Sequence, residues 1–326
     1  MGVELLIGNE TGTKAYLPAV KEGIEWTTQR KNTPGKLTFQ VRRDDVLDFS
    51  EGSAVRMKEN GDEIFFGFVF KQQRGKEPII TVTAYDQLRY LKNKDTIVYE
   101  NKTADQFLKM IAADYALNIG TLENTGYIIN SRVEENTSLF DMIQNALDLT
   151  LQNTGNLFVL YDDFGKLALK NLSSMTVGAP GAYLMVDEET GENFEYTSSI
   201  DDNTYNKIKL TYDNEDTGFR EVYIAQDSGN MNKWGILQYF DTLKKGENGQ
   251  AKVDALLKLY NKKTRSLKLT NVLGDNRVRA GSLIVVNLDL GDIKIKNFML
   301  VESCRHTYKE SAHWMDLTLR GGEFVG

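Results

Sequence analysis

Polar and apolar residues alternate along many short segments of this chain. Between Lys36 and Val41 every second side chain is apolar, directly after a Thr33-Pro34-Gly35 turn. Period-two alternation is typical of a β-strand with one buried face. The pattern extends to about residue 92 and returns from about residue 194. The sequence therefore predicts β-structure in both regions, separated by a segment of a different kind.

A helical period replaces the alternation over residues 93–193. Thr103 and Gln106 form a capping box, in which each side chain satisfies a backbone group at the start of a helix. A second helix is predicted to begin at Ser138 and to end at Gly155, because Gly is favoured just beyond a helix C-terminus. A hairpin of two apolar segments follows directly. Helix, helix and hairpin predict a small α+β domain.

The second β-region contains an interruption of its own. Strands are predicted at 206–212 and 220–224. Apolar residues then recur at helical spacing from Met231 to Leu243, and a further helical stretch begins at Gly249. These spacings predict a helical insertion over residues 226–265, between strands of the second β-region.

One order of elements occurs twice along the chain. In both copies a Gly-Ser pair is followed by a strand, a turn, an aromatic strand and a second alternating strand. The matching pieces are Gly52-Ser53 with Gly281-Ser282, the Asn60-Gly61 turn with the Gly291-Asp292 turn, and strands 65–69 with 298–301. Duplication explains this order, and chance similarity between two amphipathic β-meanders is the alternative.

Taken together, the patterns predict a mainly β fold of the α+β class. Residues 1–92 form a first tube-like β-barrel domain, residues 93–193 the inserted helix-helix-hairpin domain, and residues 194–326 a second tube-like β-barrel domain with the helical insertion 226–265. A chain with two copies of a ring-forming unit presents twice its own symmetry to a neighbour.

Composition narrows the function classes. The 326 residues suit two or three domains, and the net charge of -7 disfavours binding of the whole molecule to nucleic acid. A single cysteine, Cys304, excludes an intrachain disulfide framework. No signal peptide and no apolar run long enough to cross a bilayer is visible, and the single cysteine fits synthesis in a reducing compartment.

The strongest candidate for a chemical site is Cys304, His306 and His313. Cys304 and His306 share a face of a predicted strand, and His313 follows across the turn. Such a trio resembles a zinc site with an open position, but structural zinc usually takes four protein ligands. We expect the three residues to act structurally, and we predict no catalytic, cofactor or metal site.

Paired carboxylates are the remaining source of chemistry. No nucleophile elbow, phosphate-binding loop or metalloprotease motif occurs. Neighbouring carboxylates point to opposite faces of a strand, so the adjacent pairs are interpreted as solvated loops. These pairs are Asp44-Asp45, Glu134-Glu135, Asp162-Asp163, Glu188-Glu189 and Asp201-Asp202.

Three segments resemble the XkdQ/YqbQ family of prophage tail proteins. Residues 229–238 resemble the segment before its helical insertion, residues 271–281 resemble its Gly-Asp…Arg-x-Gly entry to the last barrel, and residues 301–319 resemble its closing hairpin. Residues 103–169 match its helix-helix-hairpin more loosely. The resemblance spans most of the chain and is strongest from residue 229.

This family is similar to the central baseplate hub of contractile phage tails, of phage-tail-like bacteriocins and, through late control protein D, of related injection systems. The resemblance implies a homotrimer whose six tube-like domains form a pseudo-sixfold ring. Such a ring meets the hexameric tail tube or its initiator on one side and the trimeric spike on the other, among other baseplate proteins.

The leading hypothesis is a non-enzymatic hub and symmetry adaptor, made in the cytoplasm and assembled into the tail baseplate of a virion or phage-tail-like particle. It has no specific nucleic-acid partner and does not insert into a membrane by itself. One alternative is a tail-associated peptidoglycan hydrolase, which requires a cleft with paired carboxylates. A second is a carbohydrate-binding β-module, which requires exposed aromatic side chains on one barrel face.

Overall fold

The computed structural model describes the chain except residues 1, 10, 192, 202, 215–216, 244–247, 290–293, 310–311 and 322–326. It is an α+β protein made mainly of strands, which confirms the predicted fold class. Thirteen strands lie in one sheet, and three smaller sheets carry the rest of the described strands. None of the described helices is long and apolar enough to cross a membrane.

The first half of the large sheet comes from the predicted N-terminal β-region. Alternation buries one face of each strand, as in β4, where Leu37, Phe39 and Val41 are in the core and their neighbours are not. The strands pair in the order β3-β4-β7-β6-β5-β1-β2. Their bounds are β1 (Val3–Gly8), β2 (Ala15–Tyr16), β3 (Val20–Gln29), β4 (Lys36–Arg42), β5 (Ala54–Glu59), β6 (Asp62–Arg74) and β7 (Ile79–Tyr85).

The middle region has the predicted helices and hairpin. The capping box at Thr103 and Gln106 is present, and Gly155 ends the second helix in the left-handed conformation at φ 73°. Its amphipathic helices pack their apolar faces on each other and on the strands. After a 3-10 turn at Gln87–Lys92 come β8 (Lys94–Lys102), α1 (Ala104–Asp114), β9 (Ile119–Leu122), β10 (Ile129–Ser138), α2 (Leu139–Thr154), β11 (Phe158–Asp162), β12 (Leu167–Asn171) and a 3-10 turn at Leu172–Met175.

The insertion in the second β-region is larger than predicted. The strands predicted at 206–212 and 220–224 were assigned to the second barrel. As β15 (Lys207–Asn214) and β16 (Phe219–Gln226), they instead form a separate three-stranded sheet with β17 (Gln238–Thr242), and this sheet packs on the helix α4 (Gly249–Tyr260). The next elements are β13 (Met185–Val186), β14 (Asn193–Ser199), β15 (Lys207–Asn214), β16 (Phe219–Gln226), α3 (Ser228–Trp234), β17 (Gln238–Thr242) and α4 (Gly249–Tyr260).

The predicted helix from Met231 to Leu243 is wrong over its second part. Gly235, at φ 79°, ends α3, and its N–H donates to the Met231 carbonyl at 2.9 Å. The chain then continues as β17, parallel to β15. Phe240, taken as part of a buried helical face, is 57% exposed, while Tyr239 packs against the core of the insertion. The i, i+3 spacing of apolar residues was therefore a poor guide here.

The second half of the large sheet repeats the first. Its strands pair in the order β14-β18-β21-β20-β19, which corresponds one for one to β3-β4-β7-β6-β5 in both chain order and antiparallel pairing. The predicted turn at Gly291-Asp292 lies outside the described residues. The remaining bounds are β18 (Thr264–Leu273), β19 (Leu283–Asp289), β20 (Lys294–Lys309) and β21 (Ala312–Gly321).

The two halves are not separate closed barrels over the described residues. β20 of the second half pairs with β3 of the first, and this ladder makes one open sheet that runs from β14 to β2. The reason is that β20 is 16 residues long and reaches beyond β19, so its far end has a free edge for β3.

Candidate functional site

Gly52 and Gly281 begin the same turn in the two halves of the sheet. Their φ angles are 92° and 93°, in a region that favours glycine. The Gly52 N–H donates to the Val69 carbonyl at 2.8 Å, and the Gly281 N–H donates to the Val301 carbonyl at 2.7 Å. The two glycines therefore open equivalent strands, as the duplication predicts.

The serine after each glycine has the same role in both turns. The Ser53 hydroxyl accepts from the Ser50 N–H, and the Ser282 hydroxyl accepts from the Arg279 N–H, each at 3.1 Å. A β-bulge also recurs, after Val69 in the β6–β7 ladder and after Val301 in the β20–β21 ladder. Turn, hydroxyl and bulge together distinguish a true structural repeat from a chance similarity of two meanders.

The ladder between β3 and β20 joins the two copies. It pairs residues 24–29 with residues 308–303 in antiparallel register. At its end the Arg30 guanidinium binds the Glu302 carboxylate through two contacts, 2.8 and 3.1 Å long, and Arg320 also contacts that carboxylate. Burial raises the pKa of Glu302, but the hydrogen bond and charge of Arg30 outweigh it, and the net shift is downward.

Cys304, His306 and His313 do meet, and they lie beside this ladder. Cys304 Sγ is 3.1 Å from His306 Nε2, and His306 Nδ1 is 2.8 Å from His313 Nε2. His306 Nε2 is also 2.9 Å from the Val278 carbonyl, which can only accept. The imidazole proton of His306 therefore belongs on Nε2, and Nδ1 accepts from the Nε2–H of His313.

These contacts bear on metal binding. The Nδ1 lone pair of His306 is used by a hydrogen bond from His313 and its Nε2 carries a proton, so neither nitrogen faces a shared metal position. Among the residues that the structure describes, no three His, Cys, Asp or Glu side chains form a group that could hold a metal ion. The absence of a metal site stays a prediction, with its test in the Discussion.

Two of the three residues are also fully buried. Cys304 and His306 are both 0% exposed. Burial, with a smaller effect of the neighbouring His313, lowers the pKa of His306 to about 3, and burial raises the pKa of the Cys304 thiol. Trp26 stacks on the His306 ring with centroids 4.8 Å apart. A neutral His306 imidazole and an unreactive Cys304 thiol fit a structural role. We call the β3–β20 ladder and the side chains packed beside it the junction between the two copies.

A second buried polar cluster connects the middle region to the sheet. The Arg279 guanidinium lies 4.2 Å from the ring centre of Tyr161 and donates to the main-chain carbonyl of Asp162 at 2.7 Å. Asp86 accepts from the Gly35 N–H at 2.8 Å. Burial raises the pKa of Asp162 to about 6, and burial followed by the charge of Asp162 raises the pKa of Asp86.

In two of the acidic pairs one residue is therefore not solvated as predicted, while the neighbours Glu135 and Asp163 are exposed. Asp162 and Glu134 are each 5% exposed rather than solvated. Glu134 binds the Arg132 guanidinium at 2.9 Å, and Asp162 accepts from the Gly165 N–H at 2.6 Å. Both Glu134 oxygens accept hydrogen bonds, from Arg132 and Asn145. The donors near Asp162 compensate its burial only in part, since the pKa of its carboxyl remains raised.

Some residues of the junction were not found from the sequence. Glu59 is 4% exposed and its carboxylate is 3.6 Å from His313 Nδ1. Its position was visible, because Val55, Met57 and Glu59 share the inward face of β5 by period-two alternation. Arg279 lies in a loop without periodicity, so no comparable signal exists for it.

The repeat, the junction and the elements inserted around them can be compared with known proteins. A family model described as YQBQ-like matches residues 24–320. The chain belongs to this family. It is 32% identical to YqbQ of Bacillus subtilis (strain 168), over 97% of this chain and 95% of that protein. It is 31% identical to the phage-like element PBSX protein XkdQ of the same strain, over 97% and 96% of the two lengths.

Solved structures with little sequence identity share this fold. A tail protein from Neisseria meningitidis MC58 aligns with a TM-score of 0.70 at 12% identity, over 99% of this chain and 98% of that one. The prophage MuSo2 43 kDa tail protein from Shewanella oneidensis aligns with a TM-score of 0.66 at 13% identity, over 97% of both chains. The E. coli c3393 protein, a component of the type VI secretion system, aligns at 0.55 and 9% identity, over 100% of this chain and 78% of that one.

These comparisons show that the chain belongs to a family of phage tail proteins, which confirms the resemblance to the XkdQ/YqbQ family seen in the sequence. They agree with the architecture found here, since the alignments run through both halves of the large sheet and the regions between them. The names of the relatives are those of tail and phage-like-element proteins rather than of enzymes.

Proposed function

We propose that this protein is the structural hub of a tail baseplate, in a contractile phage tail or a phage-tail-like particle. The observation that carries the proposal is the duplication. Two copies of one five-strand unit share a turn, a bulge and a sheet within a single chain. Three such chains contain six similar units, the number that the end of a hexameric tube presents. The hub is then a homotrimer that adapts sixfold to threefold symmetry.

The proposed partners are the trimeric spike, the tail tube or its initiator, and other baseplate proteins. Two fold neighbours support this choice. The c3393 protein is described as similar to the T4 bacteriophage tail proteins gp27 and gp5. A second neighbour, with a TM-score of 0.54 at 12% identity, belongs to a Francisella PdpA–VgrG complex. The chain is made in the bacterial cytoplasm and takes its place in the assembled baseplate.

The proposed role is non-enzymatic. The polar clusters with shifted pKa values are packed between the sheet halves and the middle region, where Cys304, His306 and Asp162 are at most 5% exposed. A hydrolase needs its carboxylates in an open cleft that admits a polymer. The net charge of -7 suits a ring through which protein or DNA passes, since a basic lumen would retain DNA through its phosphates.

Electron microscopy of the assembled tail tests the proposal. We expect a hub layer of three chains whose six sheet halves alternate around a central channel, between tube and spike. A hub layer with another stoichiometry, or with one sheet half per chain in the ring, contradicts the symmetry-adaptor role. Clearing of peptidoglycan by the purified chain in a zymogram would instead favour the hydrolase.

A further inference from the structure

The β3–β20 ladder shows how one copy of the repeat joins the next. Leu300 of β20 pairs with β19 and with β21 at once, so those strands lie on opposite sides of β20. Residues 303–308 pair with β21 and with β3, so β3 occupies the same side as β19. β3 therefore fills the part of the β20 edge that β19 leaves open.

The first copy has the same open edge, but it is empty among the described strands. Phe68 of β6 pairs with both β5 and β7, as Leu300 does with β19 and β21. The bulges align Val69 with Val301, so residues 71–76 correspond to residues 303–308. No described strand pairs with residues 71–76 on the β5 side. All of them except the half-buried Gln72 are exposed. β6 ends at Arg74, so residues 75 and 76 continue this edge beyond the strand.

The strand that corresponds to β3 in the second copy is β14, and none of the described strands pairs with its outer edge. Residues 24–29 read IEWTTQ and residues 194–199 read FEYTSS. The ladders agree, because Trp26 pairs with Leu37 and Tyr196 pairs with Leu267 on equivalent strands. β14 ends the large sheet, and its Phe194 is 54% exposed.

The two edges do not pair with each other within the chain. β14 and β6 are separated by seven strand spacings in the sheet order, or roughly 34 Å along the sheet at about 4.8 Å per strand. We propose that residues 194–199 of one copy pair with residues 71–76 of a second copy, in the antiparallel register of the β3–β20 ladder. The pairing itself follows from the strand edges. Only the expectation that three chains close the ring rests on the proposed hub function.

The side chains on the two edges suit this register. It places Tyr196 opposite Arg74 and Phe194 opposite Lys76, where the intrachain ladder places Trp26 opposite His306. In each of the two proposed pairs, Tyr196 with Arg74 and Phe194 with Lys76, an aromatic ring faces a cation, which is a favourable contact. The exposed Phe194 side chain then gains a cover, and the unpaired backbone groups of two edge strands are satisfied.

The loop near this edge does not block it. Gln72 Nε2 donates to the Phe49 carbonyl at 3.2 Å. The corresponding loop of the second copy makes a similar contact, since the Val278 carbonyl lies 2.9 Å from His306 Nε2, and β3 is nevertheless in place. The loop therefore packs over the sheet face and leaves the edge accessible.

Cysteine cross-linking of the full-length chain tests the register. Gln72 and Ser198 correspond to Cys304 and Thr28, which pair in the intrachain ladder. We expect Q72C/S198C to form, on mild oxidation, reducible covalent multimers that end at three chains. Q73C/S198C is the matched control, because neighbouring residues point to opposite faces, and its yield should be at least about tenfold lower. D213C/R220C replaces an exposed pair that lies directly opposite on β15 and β16. It is the intrachain control for oxidation and should leave the chain monomeric on a denaturing gel, while native Cys304 is buried and unreactive.

The outcomes separate this pairing from the proposed function. A trimer by native mass that shows no preference for the matched pair overturns the pairing and leaves the trimeric hub standing. Matched cross-links that close at two chains, or continue beyond three, support the pairing and contradict the hub stoichiometry. A chain that stays uncross-linked over its whole soluble concentration range, while D213C/R220C closes its own disulfide, overturns the pairing.

Discussion

Acid should weaken the junction between the two copies through His306. This imidazole is fully buried and its pKa is lowered to about 3, against about 6.5 in an unfolded chain. Below the unfolded value, the unfolded chain binds a proton that the folded chain excludes. The contribution of His306 to stability is therefore complete above about pH 6.5 and is lost as the pH falls toward about 3.

The magnitude follows from the width of that window. At pH 5 the solution is about 1.5 pH units below the unfolded pKa of about 6.5, and each pH unit changes the free energy of unfolding by about 1.4 kcal/mol. Acidification from pH 7 to pH 5 should therefore lower the free energy of unfolding by about 2 kcal/mol. Asp162 acts in the opposite direction. Burial raises its pKa to about 6, so its protonation between pH 6 and pH 5 favours the folded chain by about 1.4 kcal/mol. In the unmodified protein the two effects oppose each other, and the raised pKa of Asp86 acts in the same direction as that of Asp162.

The assay compares variants in which one group at a time cannot titrate. Urea unfolding is followed by circular dichroism at pH 7 and at pH 5 for the native chain, H306Q and D162N. H306Q should lose the acid destabilisation, so its stability at pH 5 relative to pH 7 should exceed that of the native chain by about 2 kcal/mol. D162N should shift the same difference the other way, by about 1.4 kcal/mol.

The comparison uses differences between pH values, so the cost of the substitution itself cancels. Because His313 donates to His306, the difference measured for H306Q is that of the two contacting imidazoles together. If H306Q loses as much stability between pH 7 and pH 5 as the native chain, His306 is not held neutral in the folded protein. The assignment of its proton to Nε2 would then be wrong, together with the account of the junction built on it.

Replacing Glu302 with Gln should lower the free energy of unfolding by about 3 kcal/mol, because it leaves the charges of Arg30 and Arg320 without their carboxylate. An unchanged urea midpoint would argue against the ion pair. The duplicated turns offer a matched pair of variants: Gly52→Ala should cost about 1–2 kcal/mol for its positive φ. Gly281→Ala should cost about 1–3 kcal/mol more, since an added Cβ would lie 2.3 Å from Val159 Cγ1 while nothing lies within 4 Å at Gly52; equal thermal shifts would contradict this. Elemental analysis of protein purified without chelator should find far less than one zinc per chain, and a stoichiometric amount would mean that Cys304 takes part in a metal site.

The sequence alone determined the features that depend on neighbours along the chain. Alternation located the strands of both sheet halves, and the capping box and Gly155 located the helices of the middle region, because period and capping act over a few residues. The repeated Gly-Ser order revealed the duplication, since a glycine at positive φ has few substitutes.

Only the tertiary structure decided which edges and faces meet. Helical spacing could not show that residues 238–242 form a strand, because their partner β15 lies about 30 residues away in sequence. Nor could the pattern show that Asp162 is buried beside Arg279, which lies 117 residues further along the chain. The junction itself pairs residues almost 280 positions apart. Every strand edge presents the same backbone N–H and C=O groups, so the sequence of the edge does not specify its partner. β3 pairs with β20 because β20 is long and extends beyond β19.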